Sequence, residues 1–370
     1  IAVTYTKRSG EVLTTIKPLR IQPSFILSQS PEHPVMGIAV LGYGMHGRRN
    51  VKNIYNNQGC MVRYIVEDEP EKIAAAKQDV QELEIDEAQI IPFSLLDKAL
   101  SSNQVAIVIV SSKTEMKNQH VRDALLADKH VMVDKPIATT IDHARELFEL
   151  ARKQGRVLLA TLPGRPGKSF SKVIMSLISS ASKITVERLF DAGSPRPTKE
   201  IDPNDSDVRE LLVNIAYHDC FAINFCMCMR PCEVTATRNP DRTGAVILKF
   251  KYPNGCVATI YGILGQFEKE NQIFNVSGER LNEMRRVDHM NINDVPQSGT
   301  EKGFRFTQVY DYASKDALEQ LYTAASGRTD IAIRVRPQLM EQNVVDCLRI
   351  AEAALASLTD GGSTQPIYYW

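Results

Sequence analysis

Four apolar residues, Ile38-Ala39-Val40-Leu41, lead directly into Gly42-Tyr43-Gly44-Met45-His46-Gly47, and a second apolar stretch, Met61 to Val66, closes on the acid Glu67. This is G-x-G-x-x-G in the context where the pattern constrains a fold: after a strand, opening a helix, with a carboxylate about 20 residues further on. The three glycines have different jobs. Gly42 permits the tight turn, Gly44 lets a pyrophosphate approach the backbone, and Gly47 lets the helix pack closely on the sheet. The helix then offers phosphate a positive dipole end and the N–H groups of its first turn, those of Met45 and His46 among them. A glycine-rich turn in an unrelated α/β protein is the alternative. The flanking strands and the spacing favour a dinucleotide site.

The acid bears on which dinucleotide. A carboxylate closing the second strand accepts hydrogen bonds from the ribose hydroxyls and repels an added phosphate. Glu67 is followed by Asp68 and Glu69, and the first basic residue is Lys72. NAD(H) is therefore expected over NADP(H).

A chain of 370 residues is too long for one ordinary core and suggests two domains. The 44 Lys and Arg balance the 44 Asp and Glu, and no basic run argues for nucleic acid or an anionic membrane. No apolar stretch reaches the roughly 18 residues that span a bilayer, and the first residues lack the order of a secretory signal. Seven cysteines at irregular spacings do not suggest a disulfide framework. A reducing, cytoplasmic compartment is the simplest expectation. The cluster Cys220, Cys226, Cys228, Cys232 invites a zinc reading, but Cys220 to Cys228 spans an apolar stretch that reads as a buried helix rather than a metal knuckle. Buried thiols and no metal are expected.

After Glu67 the α/β alternation continues. Pro70 to Leu83 reads as a helix, and Gln104 to Ser111 as a strand buried on both faces. Asn118 to Ala127 reads as a helix, His130 to Val133 as a strand, Thr139 to about Gln154 as a helix, and Arg156 to Ala160 as the last strand of this half. Asp134-Lys135-Pro136 stands just past a strand's carboxyl end, where ligands of open parallel sheets sit. Lys135 is therefore a candidate for chemistry, with capping of strand-end carbonyls as its alternative. Beyond this half, Ala245 to Tyr252 and Val257 to Gly262 read as strands joined through Pro253-Asn254-Gly255, a hairpin signal. Gln272 to Val276 and Arg305 to Tyr310 read as further strands, and roughly Arg336 to Thr359 as an amphipathic helix stopped at Gly361-Gly362.

Three segments together carry a family resemblance: Gly42-x-Gly44-x-x-Gly47, Ala124 through Lys135-Pro136, and Arg349-Ile350-Ala351-Glu352-Ala353-Ala354-Leu355-Ala356-Ser357. From about residue 36 to the end the chain resembles the glucose-fructose oxidoreductase and inositol dehydrogenase family, with Asp134 where the family usually has Glu. The resemblance implies an α/β fold in which a Rossmann-type parallel-sheet domain, residues 36–162, precedes an α+β domain with a large, mostly antiparallel sheet, residues 163–370. The C-terminal helix would pack back on the first domain, and the open sheet face would form a homo-dimer or homo-tetramer.

The stretch Leu211 to Asp219 matches the family's Asp-x-x-x-His motif, which sets two side chains one helical turn apart on one face. His218 falls on the family's His and is the candidate general base toward a substrate hydroxyl; its ordinary pKa near 6.5 suits that role. A satisfied core histidine is the alternative. Lys135 would hold the substrate oxygen, as a cation or through a lowered pKa. The family's Asp is Asn214 here, an amide that can hold a ring but cannot neutralise an imidazolium. Asp219 is adjacent in sequence but points about 100° away on a helix.

Ser111 stands where the family commonly has Thr, and would either contact the cofactor or simply start the next helix. Arg165, where the family often carries an arginine, would bind a substrate oxygen or bridge the domains. Residues 1–35 lie outside the family core. Thr4 to Ile16 reads as a hairpin turning at Arg8-Ser9-Gly10-Glu11, ahead of a Ser/Pro-rich linker to Pro34, and the arm is expected to contact a neighbouring subunit or protein. The reading that results is an NAD-dependent oxidoreductase acting on a sugar, polyol or related small hydroxylated or carbonyl substrate. Its alternative is a catalytically weakened dinucleotide-binding member with a structural or regulatory role.

Overall fold

The computed structural model describes residues 2–6, 12–16, 35–57, 59–161, 178–179, 181–191, 201–265, 271–277, 302–306, 309–326 and 337–369. Strands β1 (Ala2–Thr6) and β2 (Val12–Ile16) pair antiparallel, with Thr4 opposite Thr14, as the expected hairpin.

The next elements alternate: β3 (Met36–Leu41), α1 (Met45–Tyr55), β4 (Cys60–Val66), α2 (Pro70–Glu82), β5 (Gln89–Ile91), α3 (Leu96–Leu100), β6 (Ile107–Val110), α4 (Thr114–Leu126), β7 (His130–Asp134), α5 (Ile141–Lys153) and β8 (Leu158–Thr161). The six strands are parallel in the order β5-β4-β3-β6-β7-β8. That order reverses between β3 and β6, which opens a crevice outside the carboxyl ends of the central strands. Local chemistry sets the helix starts. Pro70 opens α2 where no N–H is needed, and the Thr140 hydroxyl accepts from the His143 N–H at the head of α5. The strand read from Gln104 is paired in the sheet only over Ile107–Val110, because Val105 still belongs to a turn closed on Ser102.

The second sheet comprises β9 (Lys183–Asp191) and, after a helical segment, β10 (Glu233–Arg238), β11 (Ala245–Lys251), β12 (Val257–Gly265), β13 (Asn271–Ser277), β14 (Lys302–Phe306) and the C-terminal β15 (Gln365–Pro366). It runs β14-β13-β9-β12-β11-β10-β15 and is antiparallel except for β9 with β12. The β11–β12 hairpin turns as expected: Gly255 takes φ +84° and the Asn254 side chain accepts from Cys256 N–H. The helical segment between β9 and β10 is α6 (Ser206–Ile215), a π-helical turn (Ala216–Cys220) and α7 (Phe221–Met227). It corrects the cysteine expectation in part. Cys220 and Cys226 are buried, but Cys228, left-handed at φ +50° as the cap of α7, is exposed, and Cys232 is half-buried.

Two late helices fasten the halves together. The strand expected over Arg305 to Tyr310 ends at Phe306, and α8 (Val309–Ala325) starts instead. Its stripe Ala317, Leu318, Leu321, Tyr322 recurs at helical spacing and joins one apolar cluster with Ile38, Val40, Ile109, Met132 and Leu159 of the parallel sheet, against α1, β7 and β8. Helix α9 (Pro337–Thr359) lies against β10 and α6 on one side and against α5 and β8 on the other.

Candidate active site

The glycine loop separates glycines required by the protein from one required by something else. Gly42 has φ +91°, and a Cβ there would stand 2.8 Å from backbone atoms of Ser111 and Ser112; at Gly47 it would stand 2.0 Å from the Gly42 carbonyl oxygen. Gly44 has extended backbone, φ −71° and ψ −166°, and a Cβ there meets nothing within 4 Å. The space over Gly44 is kept clear beside the first turn of α1, where Met45 is 66% exposed and His46 half-buried. That is a cradle a Cβ would fill, and it fits a phosphate.

Glu67 is 5% exposed and does more than its place in the motif suggests. One oxygen accepts from Tyr43 N–H at 2.7 Å, the other from Asp68 N–H at 2.9 Å and Glu69 N–H at 3.1 Å. The acid thus clamps the glycine loop to the end of β4. A carboxylate has about four lone-pair positions, so one remains for a ribose hydroxyl. The acidic run behind it is engaged as well. Asp68 accepts from Phe93 N–H, and Glu69 pairs with Lys72 at 2.9 Å and Lys113 at 3.0 Å. Lys113 escapes a reading of the sequence, since it arrives from a different loop.

The Ser111 hydroxyl donates to Asp134 at 2.5 Å and accepts from Asn50 at 3.1 Å, so its side chain serves the protein's own framework. Asp134, 3% exposed, also accepts from Asn50 at 3.1 Å and from the Thr161 hydroxyl at 3.3 Å. One buried carboxylate thereby ties together the ends of β6, β7 and β8 and the body of α1. Lys135 continues from it: its N–H donates to Thr161, its carbonyl accepts from the Lys117 ammonium at 3.0 Å, and its own ammonium donates to Asn214 Oδ1 at 2.6 Å. The structure therefore brings Lys135 and Asn214 together directly.

His218 lies on the π turn one step beyond Asn214, not on a continuous α-helix as the motif suggests; such turns recur at functional sites. It is 3% exposed. Burial first, then the charges of Lys135, Arg188 and His46, hold its pKa well below the ordinary histidine value, so the expectation of a pKa near 6.5 is corrected and the ring is neutral. Asp219 is claimed by Arg188 in a two-pronged buried pair, 3.0 Å from Nε and 2.8 Å from Nη2. Its carboxylate faces β9.

Sequence reasoning missed Lys117, Glu210 and Asp134. A signal existed for the first two. Lys117 shares the inward stripe of α4 with Val121 and Ala124 (i, i+4, i+7), and it is 7% exposed; burial lowers its pKa. Glu210 precedes Asn214 by four residues and His218 by eight. Arg165 lies outside the described residues. Among those residues, no group of three His, Cys, Asp or Glu is gathered to hold a metal.

Residues 36–162 match the model of an oxidoreductase family with an NAD-binding Rossmann fold. Human biliverdin reductase A is 38% identical over 63 residues, 17% of this chain and 21% of that protein. The NADP(+)-dependent scyllo-inositol 2-dehydrogenase of Bacillus subtilis is 23% identical over 145 residues, 39% of this chain and 38% of that enzyme. The chain thus spans between about a fifth and two-fifths of the length of these relatives. Among solved structures, scyllo-inositol dehydrogenase of Lactobacillus casei, with NAD(H) and scyllo-inositol bound, superposes with TM-score 0.62 at 14% identity, covering 90% of this chain and 99% of that one. Myo-inositol 2-dehydrogenase of Lactobacillus plantarum gives 0.63 at 14% identity, covering 90% and 100%. Residues 36–162 thus match that oxidoreductase family's NAD-binding Rossmann model, and the described chain shares the two-part fold of these inositol dehydrogenase structures.

Proposed function

We propose that this protein is a nicotinamide-dependent oxidoreductase that exchanges a hydride with a sugar, polyol or similar small hydroxylated or carbonyl substrate, using NAD(H) in preference to NADP(H). The observation that carries this reading is the 2.6 Å bond from Lys135 Nζ to Asn214 Oδ1. It joins the loop at the crevice of the parallel sheet to the helix bearing His218, so reacting groups from both halves meet at one place.

The glycine loop, the first turn of α1 and Glu67 would hold the dinucleotide. When bound, nicotinamide supplies a hydride acceptor or donor at C4. Lys135 presents its ammonium to the substrate oxygen and stabilises the negative charge that grows there as the hydride departs. Asn214 aims that ammonium. His218, kept neutral, is in the form that accepts a hydrogen bond or proton from the substrate hydroxyl, and its burial beside two cations opposes the proton's remaining there. Arg165 we assign to a substrate oxygen. The preference for NAD(H) rests on Glu67, whose charge disfavours a phosphate on the adjacent ribose hydroxyl. A homo-oligomer formed through the open sheet face belongs to the same reading. A weakened member with a binding role is the second reading, and Asn214 in place of an acid favours it.

The test is titration of NADH and NADPH by fluorescence, followed by a hydride-transfer screen over inositols, sugars and polyols. Tighter NADH binding is expected, with turnover that collapses in Lys135→Ala and His218→Ala. Binding without turnover, also in Asn214→Asp, moves the assignment to the second reading; failure to bind either cofactor refutes both.

A further inference from the structure

Two lysines converge on the candidate site, and the proposed reaction uses only one. Lys117 reaches in from α4, 7% exposed, and gives an N–H to the Lys135 carbonyl, while Lys135 gives one to the neutral amide of Asn214. A buried ammonium needs negative charge nearby to remain charged at modest cost. Asp134 faces Lys117 from β7, but its oxygens already serve Asn50, Ser111 and Thr161. Glu210 and Glu115 also act on Lys117. Of these, Glu210 is the one tied to the site, since its carbonyl oxygen accepts from the same Asn214 amide that holds the Lys135 ammonium. Glu210 stands one turn before Asn214 on the same face of α6 and is half-buried. Burial raises its pKa, the charges of Lys135 and Lys117 favour its ionised form, and Asp207 and Glu115 oppose it. Its own charge in turn supports the ammonium of Lys117.

We propose that Glu210 is a positioning residue of this site: from one helical turn away it supplies Lys117 and Lys135 with the negative charge that Asn214 lacks. Lys117 in turn fixes the main chain of Lys135, so the charge of Glu210 reaches the substrate oxygen through both lysines. This rests on the assignment of Lys135 to that oxygen.

The experiment has one arm that needs no substrate. The full chain, carrying 13C at lysine Cε, is titrated by NMR, with the two resonances assigned through Lys117→Arg and Lys135→Arg. In Glu210→Gln the Lys117 titration moves to lower pH, and Glu210→Asp returns most of the shift; Glu210→Ser replaces the Gln variant if that one does not fold. Unaltered titration of both lysines in the neutral variant overturns the proposal. In the second arm, on a substrate found by the polyol screen, Glu210→Gln lowers kcat/KM by about tenfold, the scale of one charge-assisted contact. Melting is unchanged and Glu210→Asp recovers activity; full activity of Glu210→Gln also overturns it. A screen that finds no substrate counts against the proposed function, while the lysine titration still decides the role of Glu210.

Discussion

Gly44→Ser separates a glycine kept for the fold from one kept for a ligand. Gly44 is the N-cap of α1, in extended conformation and without a side-chain cap, and its Cβ position is empty to 4 Å. Serine is a preferred N-cap, better than glycine by a few tenths of a kcal/mol, because its hydroxyl accepts from an N–H two or three residues on. Loss of glycine's freedom in the unfolded chain adds about 0.5 kcal/mol in the same direction. The melting temperature should therefore hold or rise by about 2 °C. Dinucleotide binding should move the other way, since the new side chain occupies the path of the phosphate. Losing one charge-assisted N–H to phosphate bond costs about 1.5 to 3 kcal/mol, which weakens the dissociation constant by about 10- to 100-fold. Gly47→Ala is the control. Its Cβ would stand 2.0 Å from the Gly42 carbonyl oxygen, where neither backbone yields, and about 3 kcal/mol of stability should be lost. Differential scanning fluorimetry and NADH fluorescence titration read both quantities. A Gly44→Ser protein that binds NADH as the parent does would refute the cradle; one that melts early would refute the empty space.

Three further outcomes follow from buried polar contacts. Arg188→Met removes the guanidinium that pairs with the buried Asp219 carboxylate, which should cost about 3 to 5 kcal/mol in a urea melt; Arg188→Met with Asp219→Leu should recover most of it, and a double variant no better than the single would refute the pairing. Asp134→Asn exchanges an acceptor of three donors for an amide and should cost about 2 kcal/mol by the same assay, with no loss contradicting its role in tying the strand ends. Asp79 is buried, which raises its pKa, but hydrogen bonds from Arg48 and Tyr43 outweigh that and hold it below the usual carboxylate range. A depressed carboxylate gives stability above its unfolded pKa and loses it as pH falls through the folded one. The gap in melting temperature between parent and Asp79→Asn should therefore be present at pH 7 and shrink below about pH 4; a gap independent of pH would contradict this.

The features legible in the sequence are those whose cause is local. The glycine loop, the hairpin at Pro253-Asn254-Gly255 and the buried parallel strands each follow from residues within one turn or one strand. Helix α8 reads in part as a strand because its first residues prolong the β-like run of Lys302–Phe306, and the apolar cluster it joins includes Ile38 and Ile109, more than 200 residues away in sequence. The capture of Asp219 by Arg188 and the meeting of Lys117 with the Lys135 carbonyl depend on side chains of distant elements, which no window of sequence contains. The π turn is hidden for another reason. It adds no residue type of its own, so Leu211 to Cys228 scans as uninterrupted helix.

The same distinction changes the meaning of Asn214. Against the family motif it is a lost acid, and the loss counts against catalysis. In the structure its amide faces two partners of opposite kind: Oδ1 accepts from the Lys135 ammonium at 2.6 Å and Nδ2 donates to the Glu210 carbonyl oxygen at 3.1 Å. An ammonium can only donate and a carbonyl can only accept, so the orientation of the amide is dictated from both sides, and an ionised acid satisfies only one of them. Asn214→Asp is therefore not a simple restoration. It should place a carboxylate oxygen against the Glu210 carbonyl, with a loss of about 1 to 2 kcal/mol from the unmade bond, while the link to Lys135 gains charge. Thermal melts at neutral pH would show the loss directly. An Asn214→Asp protein as stable as the parent would refute the reasoning that the unmade bond to Glu210 outweighs the stronger link to Lys135; the predicted loss would mark Asn214 as a residue fitted to a lysine-centred site rather than the remnant of a histidine-centred one.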